Sequence, residues 1–418
     1  MKAEVLLNIL DKVLKLGFTF LLSVFMARTL SKVDFGVYTI FAILVSSCLV
    51  ISGAGIDTLY ARDVAKDKGV HRNVFTSWLI IRLLISLVLF FLVRLYLLQN
   101  YPDYKNDIFF VLITCFLIFS HISEQTLVAL IDNRRLLKIT LTILLVFFLL
   151  KLFAINSTRN IGMKFLLDAI EYVLVFVFVI KVISSRFLGR LSIRGIYEKS
   201  LKYVKDASPL WLNGVLLVVY SRLDQFYVAT VGGALHMADY GIATNINSLA
   251  LVIPTAIMTV YFPRMVQHYS QEKQAYIEIV NRLVKFSIVY GIAWALLCYF
   301  LSEWAVTLIY GHSYISASKY LSILSLSSVF LVLGQVFGQH MIIIGRYWVA
   351  LKRSFLGILF TLSVYAMLGN EIDIVNIAII VVVNSFIVNV CSYFLMKDGK
   401  DIRQLLIGYF WKKSQCIK

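Results

Sequence analysis

Twelve apolar stretches of about twenty residues divide the chain, and most Lys and Arg residues fall in every second gap between them. About twenty apolar residues in a helix cross a hydrocarbon core roughly 30 Å thick. A chain so patterned can bury its apolar surface only by entering a bilayer many times. Composition agrees: hydrophobic residues fill 60% of 418 positions and charged residues 15%, against about 45–50% and about 25% in soluble domains.

The expected spans lie near 8–28, 35–56, 75–97, 108–130, 137–155, 161–183, 208–231, 240–262, 284–302, 321–344, 347–369 and 374–396. Runs such as 87–93 and 377–383 are apolar on every side, where a membrane strand would alternate lipid-facing with lumen-facing residues. The spans are therefore helices. The first begins within ten residues of Met1 with no small-residue cleavage site after it, which reads as a retained helix rather than a signal peptide.

Of 40 Lys and Arg residues, thirty fall in the gaps on one side and eight on the other, with Arg82 and Arg222 inside spans. This asymmetry places both termini in the cytoplasm with an even number of crossings. The formal net charge of +17 is spread over seven loops, as topogenic charge and contacts to anionic membrane lipids, which argues against nucleic-acid binding. The five cysteines, Cys48, Cys115, Cys298, Cys391 and Cys416, are odd in number and four sit in spans, so neither a disulfide framework nor a metal cluster is expected. The outer loops are too short for a folded domain, which needs at least about 50 residues. Function must lie within the membrane.

The longest hydrophilic segment, 181–206, lies near the chain's midpoint. It divides an N-terminal six-helix lobe (1–185) from a C-terminal one (207–396), with 186–206 as cytoplasmic linker and 397–418 as a basic cytoplasmic tail. The expected fold class is an all-α membrane protein, with two six-helix lobes around a central cleft that rock in alternating access. The halves echo each other: Asp34-Phe35-Gly36 follows the first span as Asp239-Tyr240-Gly241 follows the seventh, and Arg62 and Arg264 close the next span in each. Gly334 and Gly338 have the G-x-x-x-G spacing that lets helices approach closely. Pro254 should kink the eighth span.

Ser221-Arg222-Leu223-Asp224-Gln225, Asp239 through Thr244, Ile253-Pro254 and Phe262-Pro263-Arg264 resemble the start of the second half of the polysaccharide-unit flippases. That family comprises the O-antigen and capsule repeat-unit flippases of the multidrug/oligosaccharidyl-lipid/polysaccharide exporter superfamily. Phe35-Gly36-Val37-Tyr38, Gly53 to Asp57 with Arg62, and Tyr310-Gly311 with Tyr314 and Ala317 resemble its other characteristic places, so the likeness runs from about residue 8 to 396. The resemblance implies translocation of an undecaprenyl-pyrophosphate-linked oligosaccharide to the outer leaflet of a bacterial inner membrane. It also implies a cationic cavity, in some members coupling to an ion gradient (Na+ or H+) with no other cofactor, and a pathway shared with polysaccharide polymerase and chain-length proteins.

Such a substrate calls for arginine at the phosphates and for amides, hydroxyls and aromatic faces at the sugars. Charges inside the membrane are costly enough to be functional candidates by default. Arg222 and Asp224, with Asn213 and Tyr220 further in, form a polar stripe on the seventh span; Arg222 could instead snorkel to the interface with Asp224 as partner. Arg82, about 10 Å deep, and Arg28, at the outer end of the first span, join them as substrate-binding candidates. Gln335 and Gln339, with His340, Asn245, Asn247, Asn384 and Asn389, could line a sugar path or glue helices together.

For ion coupling, His121 and Glu124 share a face of the fourth span; Glu124 either binds a cation or proton or pairs with an arginine across the bundle. On the sixth span Lys164, Asp168 and Glu171 are spaced so that Lys164 neutralises Asp168 and leaves Glu171 the freer acid. Asp11 is expected to pair at the interface. Two other classes remain open. A multidrug or cation antiporter would want an acidic cavity, whereas Arg28, Arg82 and Arg222 balance Glu124, Glu171 and Asp224. A membrane polymerase would want a nucleotide signature or convergent catalytic set, and the sequence carries neither, so an enzyme is not expected.

Overall fold

A computed structural model describes the backbone at residues 2–53, 55–67, 70–130, 133–346, 348–369, 373–396 and 402, and side chains at these except 2–12, 56, 58, 65–67, 128–129 and 133–138. The tail with Cys416, and the side chains of Asp11, Arg134, Arg135 and Lys138, lie outside what is described.

The chain divides into two compact units, Met1–Val218 and Val219–Lys418. The first contains α1 (Lys2–Thr29), α2 (Lys32–Gly53), α3 (Ile56–Asp67), α4 (Arg72–Asn100), α5 (Lys105–Leu117), α6 (Ile122–Ala129), α7 (Asn133–Thr158), α8 (Ile161–Ile183) and the start of α9 (Ile193–Val231). Within it α8 packs between α5 and α7, and α1 lies along α7. Two short parallel strands, β1 (Val70–His71) and β2 (Phe187–Leu188), tie the loop after α3 to the segment after α8. The second unit contains the end of α9, α10 (Gly233–Ser248), α11 (Val252–Gln271), α12 (Lys273–Ile309), α13 (Ala317–Leu324), α14 (Ser327–Ile343), α15 (Trp348–Leu368), α16 (Ile374–Phe386), a π-helical turn (Ile387–Cys391) and α17 (Ser392–Leu395). Here α12 packs on α14, and α13 fits between α10 and α16.

All twelve expected spans fall on helix. Among the described residues, eight helical stretches are long and apolar enough to cross a bilayer, and α13 with α14, bent by 42°, makes a ninth. The other three expected spans, on α1, α8 and α9, carry Lys15 and Arg28, the Lys164/Asp168/Glu171 set, and Arg222 with Asp224. On α8 it is the three charges, not a lack of apolar residues, that set the span apart.

Local signals account for several ends. Ser31 accepts from the Asp34 backbone N–H and donates to the Asp34 carboxylate at 2.6 Å, a reciprocal cap that starts α2. Asn160 caps α8 through the Met163 N–H and Asp373 caps α16 through the Val375 N–H. Pro254 interrupts the eighth span: a 3₁₀ turn at Leu249–Leu251 separates α10 from α11, where the proline ring denies Ala250 its helical donor. Of the expected glycine pair only Gly334 is a close approach, since a β-carbon there would lie 2.0 Å from Asn389 Oδ1, while Gly338 has nothing within 4 Å.

The expected linker is helical from Ile193 onward and packs within the first unit. Tyr203 stacks on Trp78 at 4.5 Å between ring centroids and donates to Asp63, and Trp211 donates to the Ile51 carbonyl. Aromatic residues in a hydrophilic segment gave it a surface to bury.

Candidate functional site

The first unit holds a run of buried charges. On α4, Arg82 is 1% exposed, and its Nη2 donates to both carboxylate oxygens of Asp57, at 2.8 and 2.7 Å. Gly53, one turn before Asp57, makes room: a β-carbon there would lie 2.4 Å from Asp57 Oδ2 and 2.5 Å from Arg82 Nη2. Gly55, at φ +68°, turns the chain between α2 and α3 in a conformation that favours glycine. The bidentate pair spends only one nitrogen of Arg82, whose Nε and Nη1 have no partner among the described residues.

On α1, Lys15 donates to Glu124 at 2.9 Å, and His121 Nδ1 lies 3.6 Å from the other oxygen of Glu124 with its ring edge-on to Tyr172. Of the readings open for Glu124, the structure shows pairing across the bundle, with a lysine rather than an arginine.

Deeper along α7 and α8, Lys151 meets Asp168 at 2.7 Å and Glu171 at 2.5 Å, while Lys164 meets Asp168 at 2.6 Å and lies over the Phe165 ring. The expected Lys164–Asp168 pair is present. Glu171 is not the freer acid expected: Lys151, which stands among apolar residues near the end of α7, reaches it from the neighbouring helix. Lys15, Lys151 and Lys164 entered the loop-charge comparison, yet their ammonium groups lie on buried acids. Four cations (Arg82, Lys15, Lys151, Lys164) thus face four carboxylates (Asp57, Glu124, Glu171, Asp168). Breaking one such pair strands a buried charge, which is why they hold together despite the cost of desolvation.

The second unit is built differently. Asp224, 9% exposed on α9, accepts from the hydroxyl of fully buried Tyr240 at 2.6 Å, and Arg222 donates to Gln225 at 3.0 Å. Arg222 and Asp224 are not in salt-bridge contact; each takes a neutral partner. Arg353, on α15, donates to Asn389 Oδ1 at 2.9 Å and to the Tyr393 hydroxyl, and lies over the Tyr393 ring. Tyr220 is its electrostatic neighbour from α9. No carboxylate among the described residues lies within ion-pair distance of Arg353.

Of the remaining expected residues, Arg28 is exposed at the end of α1, and Asn213 is half-buried in the first unit. Gln335 donates to Thr255 at 3.0 Å, and Gln339 is half-buried one turn further along α14. His340, Asn247 and Asn384 serve as glue, bonding Tyr276, the Leu324 carbonyl and Thr361. Sequence reasoning missed Asp57, Lys151 and Arg353 as site members. A lysine or arginine a few residues inside an apolar run, rather than beyond its end, was the available signal. Just after the C-terminal end of α12, Gly311 has φ +106°, which only glycine adopts freely, and Tyr310, Tyr314 and Ala317 around it are buried, so this motif is a structural corner.

Comparison with known proteins agrees with this architecture. Residues 25–319 match the family profile described as polysaccharide biosynthesis protein. The capsular polysaccharide biosynthesis protein CapF of Staphylococcus aureus is 21% identical over 273 residues, covering 64% of this chain and 68% of that protein. Among solved structures, an inward-facing multidrug resistance transporter of the MATE family superposes with a TM-score of 0.70 at 13% identity, covering 93% of this chain and 94% of that one. A MOP superfamily transporter from Pyrococcus furiosus, described as having a binding pocket of reverse polarity, superposes at 0.65 with 12% identity over 96% and 95%. A MATE transporter of Vibrio cholerae does so at 0.64 with 16% identity over 96% of each chain. The chain belongs to the polysaccharide biosynthesis protein family, and its fold is that of the MATE transporters.

Proposed function

We propose that this protein moves an undecaprenyl-pyrophosphate-linked oligosaccharide repeat unit from the cytoplasmic to the outer leaflet of a bacterial inner membrane, with both termini in the cytoplasm. The observation that carries the reading is the coexistence of the polysaccharide biosynthesis family with a transporter fold whose buried polar groups include arginines held by neutral partners. Such arginines retain the charge that a pyrophosphate needs. The resemblance to CapF supports a glycan cargo over a cationic drug. Glu124, Asp168 and Glu171 of the first unit are neutralised by lysines and so are not free to attract a cationic drug.

In this reading the two units alternate access, the arginines take the pyrophosphate, and the polyprenyl tail stays in lipid. Coupling to H+ or Na+ acts through Glu124 with His121, or through Asp168 with Glu171. An ion at either place competes with Lys15 or Lys151 for its carboxylate, and to drive transport it must bind the two conformations with different affinity. Deleting the gene and analysing the lipid-linked saccharides tests the function. Accumulation of one repeat unit on the cytoplasmic leaflet, with loss of surface glycan, is the expected result. Unchanged surface glycan together with loss of drug efflux would assign the protein to the antiporters instead.

A further inference from the structure

Arg353 stands five residues after Trp348, on the side of the membrane where loop lysines and arginines concentrate, and its counting as topogenic charge hid it. Its guanidinium lies in a frame that other residues give up volume to build. Asn389 projects toward it from the π-helical turn, and opposite Asn389 stands Gly334, where a β-carbon would come within 2.0 Å of Oδ1. Tyr220 occupies the space a β-carbon on Gly357 would need, 2.7 Å from its ring. Tyr393, 0% exposed, supplies both a hydroxyl and a ring face, with the guanidinium carbon 4.9 Å from the ring centroid. π-Helical turns inside α-helices recur at functional sites because they re-aim side chains at the cost of regular hydrogen bonding.

The frame orients the cation without neutralising it. Asn389 and Tyr393 are uncharged, no described carboxylate is in reach, and Nε has no hydrogen-bond partner although it is buried. A guanidinium with a free donor in a low-dielectric setting favours one kind of guest, an oxyanion that accepts from Nε and Nη together. The Tyr393 hydroxyl, which accepts from Arg353 through its oxygen, keeps its own proton for the same guest.

We infer that Arg353, framed by Tyr220, Asn389 and Tyr393, is a phosphate-binding residue of the second unit. This deepens the proposed function and rests on it: the phosphate is one of the two in a prenyl-linked pyrophosphate entering from the cytoplasmic side. Asn389 is the orienting residue, and its lack of charge is what leaves Arg353 able to bind.

The test uses the full chain in phosphatidylcholine nanodiscs, titrated calorimetrically with geranyl pyrophosphate and with inorganic pyrophosphate. Arg353→Gln is expected to weaken geranyl pyrophosphate binding about tenfold or more, with Arg353→Lys intermediate because it keeps charge but loses the fork. Asn389→Asp is the deciding variant: a carboxylate 2.9 Å from Nη2 would neutralise the arginine as Asp57 neutralises Arg82. It should abolish binding while the unfolding temperature holds or rises. A merely structural Arg353 predicts the same gain in stability with binding unchanged. Wild-type affinity in Asn389→Asp would overturn the inference even if Arg353→Gln failed to fold. Equal affinity for the two ligands would assign the site to free phosphate. Competition by phosphatidylglycerol nanodiscs alone would assign it to a lipid headgroup, and either result overturns the substrate assignment. Repeat-unit export, measured in parallel, separates the two levels: intact export with unaltered binding in the variants removes only the role of Arg353.

Discussion

The two units solve the same problem, charge inside an apolar bundle, in opposite ways. The first pairs each buried cation with a carboxylate, as Arg82 with Asp57 and Lys151 with Asp168 and Glu171. The second surrounds its charges with neutral groups: Gln225 for Arg222, Tyr240 for Asp224, Asn389 and Tyr393 for Arg353. A paired cation is a dipole with little left for a ligand, whereas one held by amides and phenols keeps its charge. Intramembrane charge alone therefore does not identify a binding residue; what holds the charge decides what it can do. By that criterion the charge of Arg82, 1% exposed, is balanced by Asp57 within the first unit, whereas Arg222 and Arg353 are held in the second unit by groups that leave their charge unbalanced.

The comparison breaks most visibly by removing one member of a pair. Arg82→Met should strand Asp57 and cost about 3–5 kcal/mol, whereas Arg82→Met with Asp57→Leu should recover most of the loss, because a buried pair replaced by apolar groups is often neutral. Thermal unfolding in detergent reads both, and a double variant no more stable than the single one would mean that the pair is not the issue. Arg353→Met should cost less, about 1–3 kcal/mol, since it leaves unpaired only neutral acceptors. If Arg353→Met proved the costlier of the two, the contrast between the units would be wrong.

A smaller effect sharpens the picture through glycine. Gly53→Ala drives a methyl against the Asp57–Arg82 pair and should cost about 1–3 kcal/mol as overpacking. Gly338→Ala meets open space and should be neutral or slightly stabilising, since alanine is the better helix former by about 1 kcal/mol. Equal effects at the two glycines would show that the pair yields more readily than its geometry indicates.

Much of the fold was legible because period and charge carry it. Twelve apolar runs became helices, and Pro254 broke the eighth where its missing donor required. Removing Lys15, Arg353, Lys151 and Lys164 from the loop comparison takes two residues from each side, which steepens the charge asymmetry. The site was less legible, for a physical reason. Spacing along one helix predicts i to i+4 partners, so Lys164–Asp168 was readable, but it says nothing about a lysine arriving from the next helix. Lys151 reached Glu171 that way, and Asp57, known only as part of a motif, reached Arg82. Gly334 was read as half of a helix-packing motif, and its actual work is to admit Asn389.

The account's central claim is that this fold carries a lipid-linked glycan between leaflets, and reconstitution tests it most directly. Purified protein in liposomes holding a fluorescent undecaprenyl-pyrophosphate oligosaccharide would be exposed to a glycosidase that cannot cross the bilayer. The account predicts that the fraction cleaved rises from the outer-leaflet half toward completion at a rate set by protein content, with protein-free liposomes stopping at half. A plateau at half with protein present, at any imposed H+ or Na+ gradient, would contradict it.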